Sequence, residues 1–129
     1  MTHTPRPLSE QDAAILDCLE QKGLPLSAYD IGGFIGNPAP TIIYRSLKRL
    51  MDRGLVHKVE SLRAFMACNT PGDAHCAVLS VCVQCKSVTE RPLDQPTVDT
   101  RITEIAAQGA AVEQVELRVR CEDCIEAAA

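Results

Sequence analysis

The chain has 129 residues and a formal net charge of -4, with no Trp and only 3% aromatic residues. That length accommodates one domain or two small ones, and the scarcity of aromatics argues against a single large core. No apolar run approaches the ~20 residues of a membrane span, and seven cysteines, an odd number, argue against a fully paired disulfide framework.

The acidity is unevenly placed. Residues 1–63 hold eight Lys/Arg against seven Asp/Glu, whereas residues 64–129 hold five against ten. Within 44–63, six basic residues (Arg45, Lys48, Arg49, Arg53, Lys58 and Arg63) stand against only Asp52 and Glu60. Positive charge gathered in one stretch of an acidic protein is the pattern of a nucleic-acid-reading face, although an ordinary solvated helix carries it too.

Residues 1–8 carry two prolines and no periodicity, as expected of a loose arm. Ser9 is placed to cap a helix, with Asp12 three residues on in a capping-box-like position. Ile15, Leu16 and Leu19 share one apolar face, Cys18 falls near it as a small buried hydrophobe, and Gly23 followed by Pro25 ends the helix. Ser27 and Asp30 repeat the capping pattern before a short helix over about 28–35, which Gly32 and Gly33 weaken. Gly36-Asn37-Pro38 marks a turn, and Pro40 suits the first turn of a third helix that runs to Gly54. On that helix Ile43, Leu47, Leu50 and Met51 form an inward stripe. Thr41, Tyr44, Arg45 and Lys48 lie on the opposite face, with Arg49 at its edge. Three helices with a short turn before the third describe a helix-turn-helix.

Leu55–Glu60 and Ala64–Cys68, separated by Ser61-Leu62-Arg63, read as two strands of a hairpin, and a hairpin after a helix-turn-helix is a wing. A polar linker, Asn69 to Ala74, follows. Ala77–Val81 reads as a strand, Ser87–Arg91 as a second, and Pro92 to Pro96 as a turn. Val98, Ile102, Ile105 and Ala106 fit one face of a helix ending before Gly109, and Val112, Val115, Leu117 and Val119 fit a last strand.

Two pairs punctuate this second half: Cys82-Val83-Gln84-Cys85 and Cys121-Glu122-Asp123-Cys124. Each sets two thiolates two residues apart on a tight turn, and two such knuckles supply the four sulfurs of a tetrahedral zinc site. The alternative, a disulfide or redox pair, rarely occurs twice, and disulfides seldom persist in the cytosol, where a chain with no signal peptide is expected. The expected architecture is therefore α+β. It comprises a winged helix-turn-helix domain over 1–66, a hinge over 67–76, and a small α/β domain over 77–129 stapled by Cys82, Cys85, Cys121 and Cys124. So small a β-β-α-β unit is expected to pair with its copy in a second chain, giving a homodimer.

The order of parts resembles the ferric uptake regulator family of metal-sensing winged-helix repressors, and most closely its zinc uptake regulator branch. The resemblance rests on Leu26-Ser27-Ala28-Tyr29-Asp30, Tyr44-Arg45-Ser46-Leu47, Gly54-Leu55-Val56-His57-Lys58-Val59-Glu60-Ser61 and the first CxxC, and runs from about Leu8 to Cys124. It implies a sensor site of His57, Cys68, His75 and Glu90, with Cys76 competing for the position of His75. Imidazole, thiolate and carboxylate make a zinc-type donor set whose single thiolate and carboxylate neutralise the ion. The four-thiolate site would then be structural and the mixed site exchangeable, two zinc ions per chain in all.

The sensor ligands come from both sides of the linker, so an ion bonded to all four would hold the two reading heads of a dimer at the spacing of two half-sites. The resemblance thus implies a cytoplasmic bacterial repressor of zinc-acquisition genes that binds double-stranded operator DNA, without membrane or small organic ligand. Tyr44 and Arg45 are expected at bases or sugars, Lys48 and Arg49 at phosphates, with Thr41 nearby. Family members usually carry a further N-terminal helix, which this sequence begins too late to include. They also carry one valine where Ile42 and Ile43 stand, and a glycine where Lys86 stands. Two other readings compete: a regulator of the same fold sensing iron or manganese, and a zinc-stabilised interaction module without DNA binding. An enzyme such as a zinc hydrolase needs an open coordination position and a general base, for which nothing beyond the sensor ligands is available.

Overall fold

A computed structural model describes residues 7–68, 77–92, 104, 108–109, 112 and 114–128. These fall into two compact units, one drawn from 1–58 and 63–72, the other from 59–62 and 73–129.

In the first unit, helix α1 (Glu10–Lys22) begins where Ser9 Oγ accepts the Asp12 N–H at 3.1 Å and ends at Gly23, whose φ of 64° is the left-handed C-terminal cap. Helix α2 (Ala28–Phe34) has the full reciprocal capping box: Asp30 N–H donates to Ser27 Oγ at 3.1 Å and Ser27 N–H donates to Asp30 Oδ2 at 3.2 Å. At α1 only half of such a box forms, because the Asp12 carboxylate is engaged elsewhere. Gly32, expected only to weaken α2, has a packing reason. A Cβ there would stand 3.1 Å from Ile43 Cδ1, so the glycine lets α2 approach helix α3 (Pro40–Asp52).

Helix α3 begins with Pro40 at a position that needs no N–H, and after Arg53 the chain leaves through Gly54 at φ 71°. Its stripe is as expected for Ile43, Leu47 and Leu50, all buried, with Met51 partly so. Strands β1 (Val56–Val59) and β2 (Ala64–Ala67) pair as the wing around a 3-10 turn at Glu60–Leu62. β2 runs one residue into the segment expected as hinge. Leu26 adds an antiparallel bridge to Phe65, exchanging N–H···O bonds of 2.9 and 2.7 Å, which sequence pattern did not reveal. One core cluster unites the three helices and the hairpin: Ile15, Leu19, Ile31, Leu47, Leu50, Val56 and Phe65 are among its buried members.

In the second unit, β3 (Ala77–Cys82) is central, antiparallel to β4 (Val88–Pro92) and parallel to β5 (Gln114–Val119). Val78, Leu79 and Val81 are all buried, which is why β3, interrupted only by Ser80, reads as a mostly apolar run rather than an alternating one. Of the helix expected over 98–106, only Glu104 is described. It is helical and its carbonyl accepts from Gln108 N–H at 3.2 Å. Pro92, expected to open a turn, closes β4, and the rest of that expected turn, to Pro96, lies outside the described residues. The Glu116 carboxylate on β5 accepts the N–H groups of Glu60 at 2.5 Å and Ser61 at 3.2 Å, capping the 3-10 turn of the wing within this unit. The second cysteine pair, expected on a tight turn, opens helix α4 (Glu122–Ala128). Acidic residues in its first turn and good helix formers after it account for the difference.

Candidate functional site

Parallel pairing of β3 with β5 sets Cys82 opposite Val119, so both cysteine pairs leave the sheet from neighbouring strand ends. The first pair occupies a tight turn, in which Cys82 N–H donates to Ser87 O at 2.9 Å and Lys86 N–H to Cys82 O at 3.0 Å. The second is no loop turn: Cys121 precedes α4, and Cys124 lies in its first helical turn. Lys86 has φ 67°, the left-handed conformation that a glycine would adopt freely.

The four sulfurs converge. Cys82 Sγ lies 3.7 Å from Cys124 Sγ, and Cys85 Sγ lies 3.7 Å from Cys121 Sγ. All four are within 4.8 Å of one another. Two sulfurs of a tetrahedral zinc site with Zn–S near 2.3 Å stand about 3.8 Å apart, so the spacing fits that ion. Backbone amides point at the sulfurs as well: Cys121 N–H and Cys85 N–H reach Cys82 Sγ at 3.4 and 3.5 Å. These donors favour thiolate, and they pull the Cys82 thiol down to about 5, the Cys121 amide contributing most. Cys85 is also lowered, first by the Ser87 hydroxyl, 3.1 Å away. Cys124 is pushed up to about 12, first by its hydrogen bond with Cys121 and then by burial. Four sulfurs this close compete for negative charge, and a divalent cation relieves that competition by taking all four as thiolates.

The expected sensor residues are distributed over both units. In the first, His57 on β1 and Cys68 just after β2 bring their ligand atoms within 4.8 Å, Cys68 buried and His57 half-buried. Cys68 is placed by its N–H bond to Leu55 O at 2.9 Å. Glu90 stands on β4 of the second unit, half-buried and opposite Leu79. His75 and Cys76 lie outside the described residues.

The exposed side of α3 carries Thr41, Tyr44, Arg45 and Lys48, as the helical wheel implies. Tyr44 is 56% exposed and held edge-on to Phe65, with ring centroids 6.5 Å apart. Lys48 makes only a loose pair with Asp52 at 3.8 Å, both side chains largely in solvent. Of the two isoleucines, Ile43 enters the core and Ile42, at 44% exposure, joins Arg45's side of the helix. Ile42 was not foreseen as a surface residue, although its three-residue offset from Arg45 was a readable signal.

Arg49, expected at the edge of that face, is half in solvent, and its guanidinium also grips Asp12 bidentately, Nε to Oδ2 at 2.9 Å and Nη2 to Oδ1 at 2.8 Å. The edge position on the wheel brings it within reach of α1, where a buried carboxylate outcompetes water.

No family model matches the sequence. A zinc uptake regulation protein of Escherichia coli (strain K12) is 27% identical over 126 residues, spanning 92% of this chain and 73% of its own length. Among solved structures, holo XcZur superposes with a TM-score of 0.79 and 31% identity, over 98% of this chain and 90% of that one. A zinc uptake regulator complexed with zinc and DNA superposes at 0.77 with 26% identity, over 95% and 85%. Sulfur geometry that suits zinc, a winged helix with a basic third helix, and likeness along nearly the whole sequence agree: the chain belongs to the ferric uptake regulator family, in its zinc uptake regulator branch.

Proposed function

We propose that this regulator is a zinc-responsive repressor of zinc-uptake genes that binds operator DNA as a homodimer in the bacterial cytoplasm. The observation that carries this reading is the pairing of a four-sulfur cluster with a separate His57–Cys68 pair on the wing. The first suits a permanent staple and the second an exchangeable ion. Likeness to a regulator solved with zinc and DNA supports it.

Cys82, Cys85, Cys121 and Cys124 would hold the structural zinc, which supplies folding free energy rather than chemistry. His57 and Cys68 would be joined by Glu90 and His75, with Cys76 as the alternative to His75, to hold the regulatory zinc, making two ions per chain. An ion shared by ligands from both sides of the linker at 69–74 would restrict it. DNA affinity then rises because the competent arrangement is already populated. Tyr44 and Arg45 would meet bases or sugars and Lys48 a phosphate, with Thr41 at the helix start.

The test combines native mass spectrometry with fluorescence anisotropy on a duplex selected from a random pool. Two zinc ions per chain are expected, one removed by mild chelation, with a loss of about tenfold or more in DNA affinity. A single zinc that resists chelation and is joined by no second, or an affinity indifferent to zinc, would refute the reading.

A further inference from the structure

Among the described residues, Asp12 and Ser46 are the buried polar side chains, and both serve Arg49. Asp12 is 5% exposed and Ser46 fully buried. Arg49 Nη2 donates to Ser46 Oγ at 3.1 Å in addition to its two bonds with the Asp12 carboxylate. The Arg49 side chain is itself half in solvent, at 52%, against 7% for that of Asp12. A half-exposed guanidinium is therefore anchored by a carboxylate that water scarcely reaches.

Its place on α3 gives this meaning. Arg49 follows Arg45 by four residues, a rotation of only ~40° around the helix, and follows Lys48 directly. Left unpaired, a guanidinium there would extend the cationic strip of α3 and take a backbone phosphate whatever the base sequence. A fork-to-fork pair with a buried carboxylate removes the two donors best disposed for that task and fixes the roll of α3 on α1.

We propose that Asp12 is a latch that withholds Arg49 from the phosphate backbone while locking the third helix to the first, so that sequence-independent affinity is held down and discrimination between DNA sites is raised. This rests on the reading of α3 as the DNA-contacting helix. Asp12 is in this sense a positioning residue, acting on DNA through Arg49 alone.

The experiment measures binding of the zinc-loaded, full-length protein to the selected duplex and to a scrambled duplex across a salt series. The proteins compared are the wild type, Asp12→Asn, Arg49→Gln and the double variant. Asp12→Asn should tighten binding to scrambled DNA several-fold and steepen the slope of log affinity against log salt by about 0.9 for each phosphate gained per subunit. The ratio of selected to scrambled affinity should fall. The double variant also loses the carboxylate charge but has no guanidinium to release, and should return to the wild-type slope. Arg49→Gln alone should leave the slope on scrambled DNA unchanged.

An unchanged slope in Asp12→Asn, or a flattened one in Arg49→Gln, would overturn the latch, the second by showing Arg49 already on a phosphate. If Asp12→Asn does not fold, a flattened slope in Arg49→Gln by itself still overturns the latch. An Arg45→Ala control separates the two levels. If it binds the selected duplex as tightly as wild type, the reading of α3 has failed rather than the latch.

Discussion

Lys86 supplies the sharpest test of local backbone physics in the metal centre. It holds φ 67° in the turn that aims the first two sulfurs, a conformation costing an L-residue about 1–2 kcal/mol. Glycine would remove that strain but, in the unfolded chain, carries about 0.5–1 kcal/mol of additional backbone entropy. Lys86 Nζ also donates to Val83 O at 2.9 Å, an exposed bond whose loss costs about 0.5 kcal/mol. Lys86→Gly should therefore be near neutral to mildly stabilising, whereas Lys86→Ala loses the bond and keeps the strain. The decisive quantity is the difference, about 1 kcal/mol in favour of glycine over alanine. Urea unfolding of the zinc-loaded variants, followed by circular dichroism, measures it. Equal stabilities, or alanine above glycine, would refute the argument, because the turn would then be indifferent to its left-handed residue.

Other perturbations probe the scaffold around the site. Leu47 is fully buried at the centre of the core cluster, so Leu47→Ala should cost about 2.5–5 kcal/mol of stability by denaturant unfolding. Glu116→Ala removes the carboxylate that accepts two wing amides, and hydrogen exchange at Glu60 and Ser61 should accelerate about tenfold for each 1.4 kcal/mol of protection lost. The Asp12 carboxyl is held below its ordinary value, chiefly by the hydrogen bonds from Arg49. Its contribution is therefore complete above the unfolded-state value and is lost as pH falls through the folded-state value. The stability gap between wild type and Asp12→Asn should be fully open at pH 7 and begin to narrow only as pH falls below about 4, the ordinary carboxylate range, as read from urea midpoints.

Much of this protein is written in short-range chemistry. Ser9, Ser27, Gly23 and Pro40 act within one helical turn of themselves, so the helix boundaries could be read directly. The three-four spacing of Ile43, Leu47 and Leu50 told which side of α3 is buried, and the doubled CxxC told what kind of ion the second half suits. Likeness to a known family implied His57, Cys68, His75 and Glu90 as a sensor set, which no local pattern would single out.

Pattern does not say what a face meets. The Asp12–Arg49 pair joins residues 37 apart, and Asp12 reads locally as a capping residue, which it is only by its amide. Ser46, a polar residue outside the apolar stripe of α3, is fully buried. The Leu26–Phe65 bridge and the Glu116 cap on the wing likewise link distant segments. The sulfur tetrahedron shows the division most clearly. Its four cysteines were legible at once, but their meeting depends on parallel registry between β3 and β5 and on a helix beginning at Glu122. Sequence determines what each segment prefers alone, because caps, propensities and periodicity act over a few residues. Which segments pair is decided only when the whole chain buries its apolar surface together, and the partners of Asp12, Arg49 and Cys82 follow from that choice.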